Sequence, residues 1–127
     1  MAMLFMKQGE IWEIGLDPTI GAEMRKTRPA LIINVDALGK LPLKIIVPIT
    51  DWNEHYENYP WMVKIIPSIN NGLAKISAID CFQIRSVSVD RLTSLRGLVE
   101  PEIITQVQKA SCYPSNWVMA LISVIPA

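Results

Sequence analysis

The sequence predicts a mainly β fold: a small, strongly curved barrel of five to seven short strands, followed by a C-terminal helix or helices. Three observations lead there. Short apolar runs rich in Ile, Val and Leu recur along the chain, many with residues alternating as a half-buried strand requires. Pro, Gly and Asn breaks separate them, and helical spacing enters only after Pro101. At 127 residues the chain has the length of one domain, 1–127, with room for a real core.

The first strand is expected over Glu10 to Ile14, where polar and apolar residues mix; Asp17, Pro18 and Gly21 break it. Met3, Leu4 and Phe5 precede it as a short extension. A loop carrying Glu23, Arg25, Lys26, Thr27 and Arg28 leads to a second strand over Ala30 to Ile33. Such a loop, held between two strands, is a usual way of presenting an anion site. Asn34 to Leu41 reads as a connection and Lys44 to Ile49 as a β-branched strand. Pro48 removes one ladder donor, which implies an edge, a bulge or a strand end near Thr50.

Asp51 to Pro60 is a polar and aromatic loop, either covering a site or packing as a solvated hairpin, and Trp61 to Ile66 resumes strand character. Asn70, Asn71 and Gly72 signal a turn. Leu73 to Ile79 alternates like a strand and Asp80 to Val87 continues extended, with Ile84 and Val87 as core candidates. Ser88 to Leu92 turns a corner that Leu95 anchors. Pro101 suits a first helical turn, where Glu100 and Glu102 complement the exposed N–H groups, and Ile103, Ile104, Val107 and Ala110 form a core-facing stripe. Pro114 interrupts that helix, and Trp117 to Ile122 is either a second short helix or a strand.

Twelve Lys and Arg balance twelve Asp and Glu, which argues against broad charge-driven nucleic-acid binding and leaves room only for a local basic site. Half of the residues are hydrophobic and mean hydropathy is +0.27, a surplus that suggests a buried homodimer interface. Cys81 and Cys112 do not form a common metal motif or a disulfide scaffold, and reduced cytosolic thiols are expected. The apolar run Trp117 to Ile122 is far shorter than a membrane span and Met1 to Met6 lacks the features of a secretory signal, so the expected location is the cytoplasm. Zinc, P-loop and dinucleotide motifs are absent from the sequence.

Several segments fall in order along the chain: Gly9-Glu10-Ile11-Trp12, Leu16-Asp17-Pro18-Thr19-Ile20-Gly21-Ala22-Glu23, Arg28-Pro29-Ala30-Leu31-Ile32-Ile33, Val47-Pro48-Ile49-Thr50, and Gln83-Ile84-Arg85-Ser86-Val87 followed by Arg91-Leu92. Together, in this order, they resemble the MazF/PemK family of toxin ribonucleases from toxin–antitoxin pairs. The resemblance implies an SH3-like barrel, shared with the gyrase poison CcdB. It also implies a homodimeric, metal-independent endoribonuclease without a cofactor, which cleaves single-stranded mRNA and is neutralised by a cognate antitoxin. DNA would be engaged only indirectly, through an antitoxin complex. Two departures stand out: Phe82 occupies a place where relatives commonly have an acidic residue, and Cys112 to Trp117 interrupts what is typically a single C-terminal helix.

By that resemblance, Arg28 takes the main catalytic position and Thr50 the second. The chemistry suits them, since a guanidinium offers permanently charged planar donors to a phosphate and a hydroxyl adds a short neutral hydrogen bond. Glu23 is open to three roles: orienting Arg28, acting as base, or forming a loop salt bridge. Arg25 and Lys26 either bind flanking phosphates or form a solvated positive loop. Gln83 and Arg85 resemble residues near the family's RNA groove and dimer contact. Trp52, Tyr56, Tyr59 and Trp61 offer faces on which unpaired bases can stack, or else pack the rim. His55 is the only histidine, which rules out a two-histidine mechanism within one chain, and it is placed outside the site. The contrasting reading is a non-catalytic binding module on the same barrel, either a gyrase poison like CcdB or a degenerate toxin kept for its protein contacts with gyrase or an antitoxin.

Overall fold

Strand β3, Leu43–Asp51, organises the molecule because it is long enough to serve three neighbours. The computed structural model describes residues 6–15, 27–36 and 41–112. Around β3 lie β1 (Glu10–Gly15), β2 (Thr27–Ile32), β4 (Met62–Ile65), β5 (Ser77–Asp80), β6 (Arg85–Ser88) and β7 (Leu92–Leu98), with helix α1 over Pro101–Ala110. All the pairings are antiparallel and the order is β4-β5-β3-β2-β1-β7, with β6 also on β3. One edge of β3 meets β2. The other meets β6 along Leu43 to Ile46 and then β5 along Ile49 to Asp51. Pro48 lies where that second edge passes from one partner to the other, so its missing N–H falls outside both ladders.

Alternation along β3 builds a core on each face. Val47 and Ile49 join Ile11, Leu31, Val63, Ile65, Ile79 and Val107, and α1 covers this side through Val107 and Ala110. Ile46 joins Trp12, Ile14, Ala30, Ile32, Val87 and Leu92 on the opposite side. Each fully buried Ile or Leu among them contributes roughly 1.5–3 kcal/mol of apolar transfer. Pro101 opens α1 in its first turn, as the sequence suggests, although Glu100 makes no side-chain cap bond.

Four local expectations are corrected. Leu73 to Ile76 is not a strand, because the Asn71 carboxamide accepts from the N–H groups of Ser68 and Leu73 and holds the chain in a turn. The run from Asp80 to Val87 is broken by a 3-10 turn over Cys81–Gln83, which Asp80 caps by accepting from the Phe82 N–H at 3.1 Å. Ile84 is exposed rather than core, whereas Val87 is buried. Leu95 is also exposed and belongs to β7, a strand that its Thr, Ser, Arg and Gly content concealed. Two register shifts in the β1–β7 ladder accommodate this strand. Met3 to Phe5, the interruption at Pro114 and the segment from Trp117 to Ile122 lie outside the described residues.

The two thiols should differ sharply in reactivity. Burial pushes the Cys81 thiol up to about 12, opposed by a hydrogen bond with Ser111 and reinforced by the Asp80 charge. Cys112 is only half-buried. In the folded protein at pH 8, an aromatic disulfide reagent is expected to titrate Cys112 and leave Cys81 unmodified until denaturant is added, as read by thionitrobenzoate release with peptide mapping.

Candidate functional site at the β2–β3 rim

The ladder between β2 and β3 pairs Ala30 with Pro48, Leu31 with Val47 and Ile32 with Ile46. Continuing that register by two residues sets Arg28 across from Thr50, a separation at which side chains on one face meet. Arg28 is the second residue of β2 and is exposed, and Thr50 is the penultimate residue of β3 and is half-buried. The strands therefore bring a guanidinium and a hydroxyl together at a rim, although the sequence separates them by about twenty positions.

Both residues line a cavity of about 330 Å³, whose apolar lining is Ile46 and Pro48. Tyr56, Asp80, Gln83 and Arg85 complete the lining. Arg28 and Thr50 also line a second depression of about 290 Å³, with Thr27, Asp51 and Ser77. The two hollows thus share Arg28 and Thr50. Among the described residues, the larger one is lined by two guanidinium groups, Arg28 and Arg85, and one carboxylate, Asp80, on a chain of zero formal net charge.

Asp80 is 8% exposed and both its oxygens are engaged: Oδ1 accepts from the Phe82 N–H and Oδ2 from Gln83 Nε2 at 2.8 Å. A carboxylate only accepts, so this contact fixes which end of the Gln83 amide is nitrogen. Gln83 Oε1 and its second N–H remain able to meet the edge of a ligand. Among the described residues, no three His, Cys, Asp or Glu side chains are grouped to hold a metal ion.

Residues 7–112 match the family described as the PemK-like, MazF-like toxin of type II toxin–antitoxin systems. The chain belongs to the PemK/MazF toxin family. Relatives include the endoribonuclease MazF9 of Mycobacterium tuberculosis, 29% identical over 83% of this chain and 92% of its own. Another is the endoribonuclease PemK of Escherichia coli, 31% identical over 78% of this chain and 73% of its own. Among solved structures, a MazE-MazF crystal structure from Deinococcus radiodurans has a TM-score of 0.70 at 19% identity, covering 87% of this chain and 96% of the other. A mycobacterial endoribonuclease in complex with its cognate antitoxin has a TM-score of 0.67 at 19% identity, covering 87% and 95%. At such identities these two likenesses concern the fold, and they agree with the barrel expected from the sequence.

Within this PemK/MazF fold, Arg28, Thr50, Gln83 and Arg85 meet at one cavity, while Glu23, Arg25 and Lys26 lie outside the described residues. Trp52 stands behind Tyr56, edge-on at 5.7 Å, and Lys64 Nζ lies 4.9 Å from the centre of its ring. Tyr56, from the 3-10 turn Glu54–Asn58, is the aromatic that reaches the cavity. The 51–60 loop therefore contributes to the site's edge. His55 is exposed on the same turn and does not line the cavity. Asp80 was not foreseen as a site residue; its signal in the sequence is the Asp80-Cys81-Phe82-Gln83 spacing, which suits a capped 3-10 turn.

Proposed function

We propose that this chain is the toxin of a type II toxin–antitoxin pair. It is an endoribonuclease that cleaves single-stranded mRNA at a short sequence and is neutralised by a cognate antitoxin. The observation that carries this reading is the opposition of Arg28 and Thr50 across the β2–β3 rim, in a chain of the PemK/MazF family. The substrate's own 2′-hydroxyl attacks the adjacent phosphorus and gives its proton to water, the P–O5′ bond breaks as the 5′ oxygen takes a proton from water, and a 2′,3′-cyclic phosphate remains. Arg28 stabilises the charge that gathers on the phosphate oxygens, and Thr50 donates a further hydrogen bond. The part of Arg28 is electrostatic, because a guanidinium is a donor of hydrogen bonds with no acceptor to take up a proton. Gln83, oriented by Asp80, meets a base edge, and Arg85 meets a flanking phosphate.

A two-fold homodimer is part of this proposal. Val35, Leu41, Leu43 and Ile45 around the start of β3, and Leu95 and Leu98 on β7, are exposed apolar side chains suited to a subunit interface. Equilibrium sedimentation should give about twice the chain mass of 14.3 kDa.

The test is incubation of the purified protein with several weakly structured RNAs in EDTA, followed by mapping of the new ends. Cleavage at one recurring short sequence, leaving 2′,3′-cyclic phosphate, is expected. Intact RNA at enzyme excess, across a set containing every five-base word, would overturn the reading in favour of a binding module.

A further inference from the structure

From the cavity outward, five aromatic rings form a continuous ladder. Tyr56 lines the cavity and lies 6.1 Å from Tyr59. Tyr59 stacks on Trp61 at 4.9 Å with only 8° between their planes, and Trp61 meets Phe82 at 5.6 Å and 67°. Trp52 closes the inner end against Tyr56. The outer end is left open: Phe82 is 58% exposed, the most exposed ring of the five.

That exposure occurs on a fixed backbone. The Phe82 N–H is bonded to Asp80 Oδ1, and the N–H of neighbouring Cys81 donates to the Trp61 carbonyl at 3.0 Å. The turn holding Phe82 is thus tied both to the cavity carboxylate and to the ring behind it. Asp80 and Gln83, on either side of Phe82 in the chain, line the cavity, so the turn that carries the ring borders it. A ring with two side-chain torsions, held in place before binding, offers contact area at little entropic cost.

We propose that Phe82, supported by Trp61 and Tyr59, is a stacking shelf for one unpaired base of the RNA strand, next to the base met by Gln83. This rests on the ribonuclease reading above, and it assigns a substrate-positioning role to a residue which that reading leaves unused. RNA is the occupant because the shelf is continuous with the cavity: a strand whose phosphate lies between Arg28 and Thr50, and whose base lies on Gln83, next meets Phe82. An aromatic face accepts any of the four bases, so the shelf adds affinity without adding sequence preference.

The test uses a short 2′-O-methyl oligoribonucleotide that cannot be cleaved. It spans a site cut in the RNA mapping or, should no cut occur, is the tightest binder from a random pool. Its Kd is measured by fluorescence anisotropy for the intact strand and for versions with one abasic residue at each successive position. Phe82→Ala is expected to weaken binding of the intact strand about 5- to 150-fold, and Phe82→Trp to retain it. One abasic position should reproduce the loss in the unaltered protein and add nothing in Phe82→Ala. Phe82→Leu, which keeps apolar bulk without a ring face, should fall with Phe82→Ala and guards against a folding defect.

An unchanged Kd in Phe82→Ala, or losses that add at every abasic position, would overturn the shelf. That includes the outcome in which only binding of a partner protein changes. RNA cleavage with Phe82-independent binding would remove the shelf and keep the ribonuclease, whereas Phe82-dependent binding without cleavage would do the reverse.

Discussion

Arg28→Ala is expected to cut the rate of RNA cleavage roughly 30- to 1,000-fold while moving the melting midpoint by no more than a degree or two. The rate effect follows from removing one preorganised charged donor from a developing phosphorane, a loss of about 2–4 kcal/mol in transition-state stabilisation. The small thermal effect follows from position: Arg28 is exposed on the second residue of β2, beyond the buried Ala30, Leu31 and Ile32 that hold the strand. Thr50→Ala should cost less if its hydroxyl only donates to a phosphate oxygen, and similarly if it also positions the attacking 2′-hydroxyl. The pair separates two origins of the effect. If Arg28 served the fold, substitution would lower the melting midpoint and leave the rate per folded molecule unchanged. Single-turnover cleavage and thermal melting on the same preparations decide between them, and unimpaired cleavage by folded Arg28→Ala would sink the mechanism.

Much of this arrangement was legible in the sequence because it depends on local signals. The apolar runs around Ile11, Leu31 and Val47 mark strands whose burial is two-sided, and Pro101 marks the start of α1. Strand identity alone, however, does not say which residues face each other. The register that opposes Arg28 to Thr50 is set by the pairing of Ala30 with Pro48, and motif resemblance rather than periodicity brought those two residues together. Asp80 and Phe82 were harder to read. A carboxylate that caps its own 3-10 turn and orients Gln83 acts through side-chain to backbone bonds, which compete with the strand expected from the surrounding apolar residues. The seventh strand was hidden for a related reason: β7 pairs along β1 through irregular register, so its residues do not alternate cleanly between faces.

Gly72→Ala is expected to harm the fold severely for the size of the change. Gly72 has a φ of +68°, in the left-handed region, and a methyl group there adds about 1 kcal/mol of backbone strain. Space is the second difficulty. A Cβ at this position would overlap the Arg96 carbonyl oxygen and lie 2.9 Å from its carbonyl carbon, both backbone atoms that cannot rotate away. The crossing is fastened from both sides: the Gly72 carbonyl accepts from Arg96 Nη2 at 2.9 Å, and the Leu98 N–H donates to the Asn70 carbonyl at 2.8 Å. Arg96 also reaches Glu13 Oε2 at 2.8 Å, so the same side chain joins the turn to β1. Relief of the overlap must therefore part β7 from the 70–72 turn, sacrificing hydrogen bonds of about 0.5–1.5 kcal/mol each and adding an overpacking cost of about 1–3 kcal/mol. The sum, roughly 3–7 kcal/mol, is a large fraction of the 5–15 kcal/mol typical of a domain and corresponds to a fall in melting midpoint of about 10–30 °C. Gly15→Ala is the matched control, since among the described residues a Cβ there meets nothing within 4 Å, and its change should stay within about 0.5 kcal/mol. Cleavage per folded molecule should be unaffected by Gly72→Ala at a temperature where the protein remains folded, because the crossing lies outside the residues that line the cavity. A midpoint for Gly72→Ala within two degrees of the unaltered protein would show that the turn and β7 separate freely, and the close crossing would then have no part in holding the barrel together.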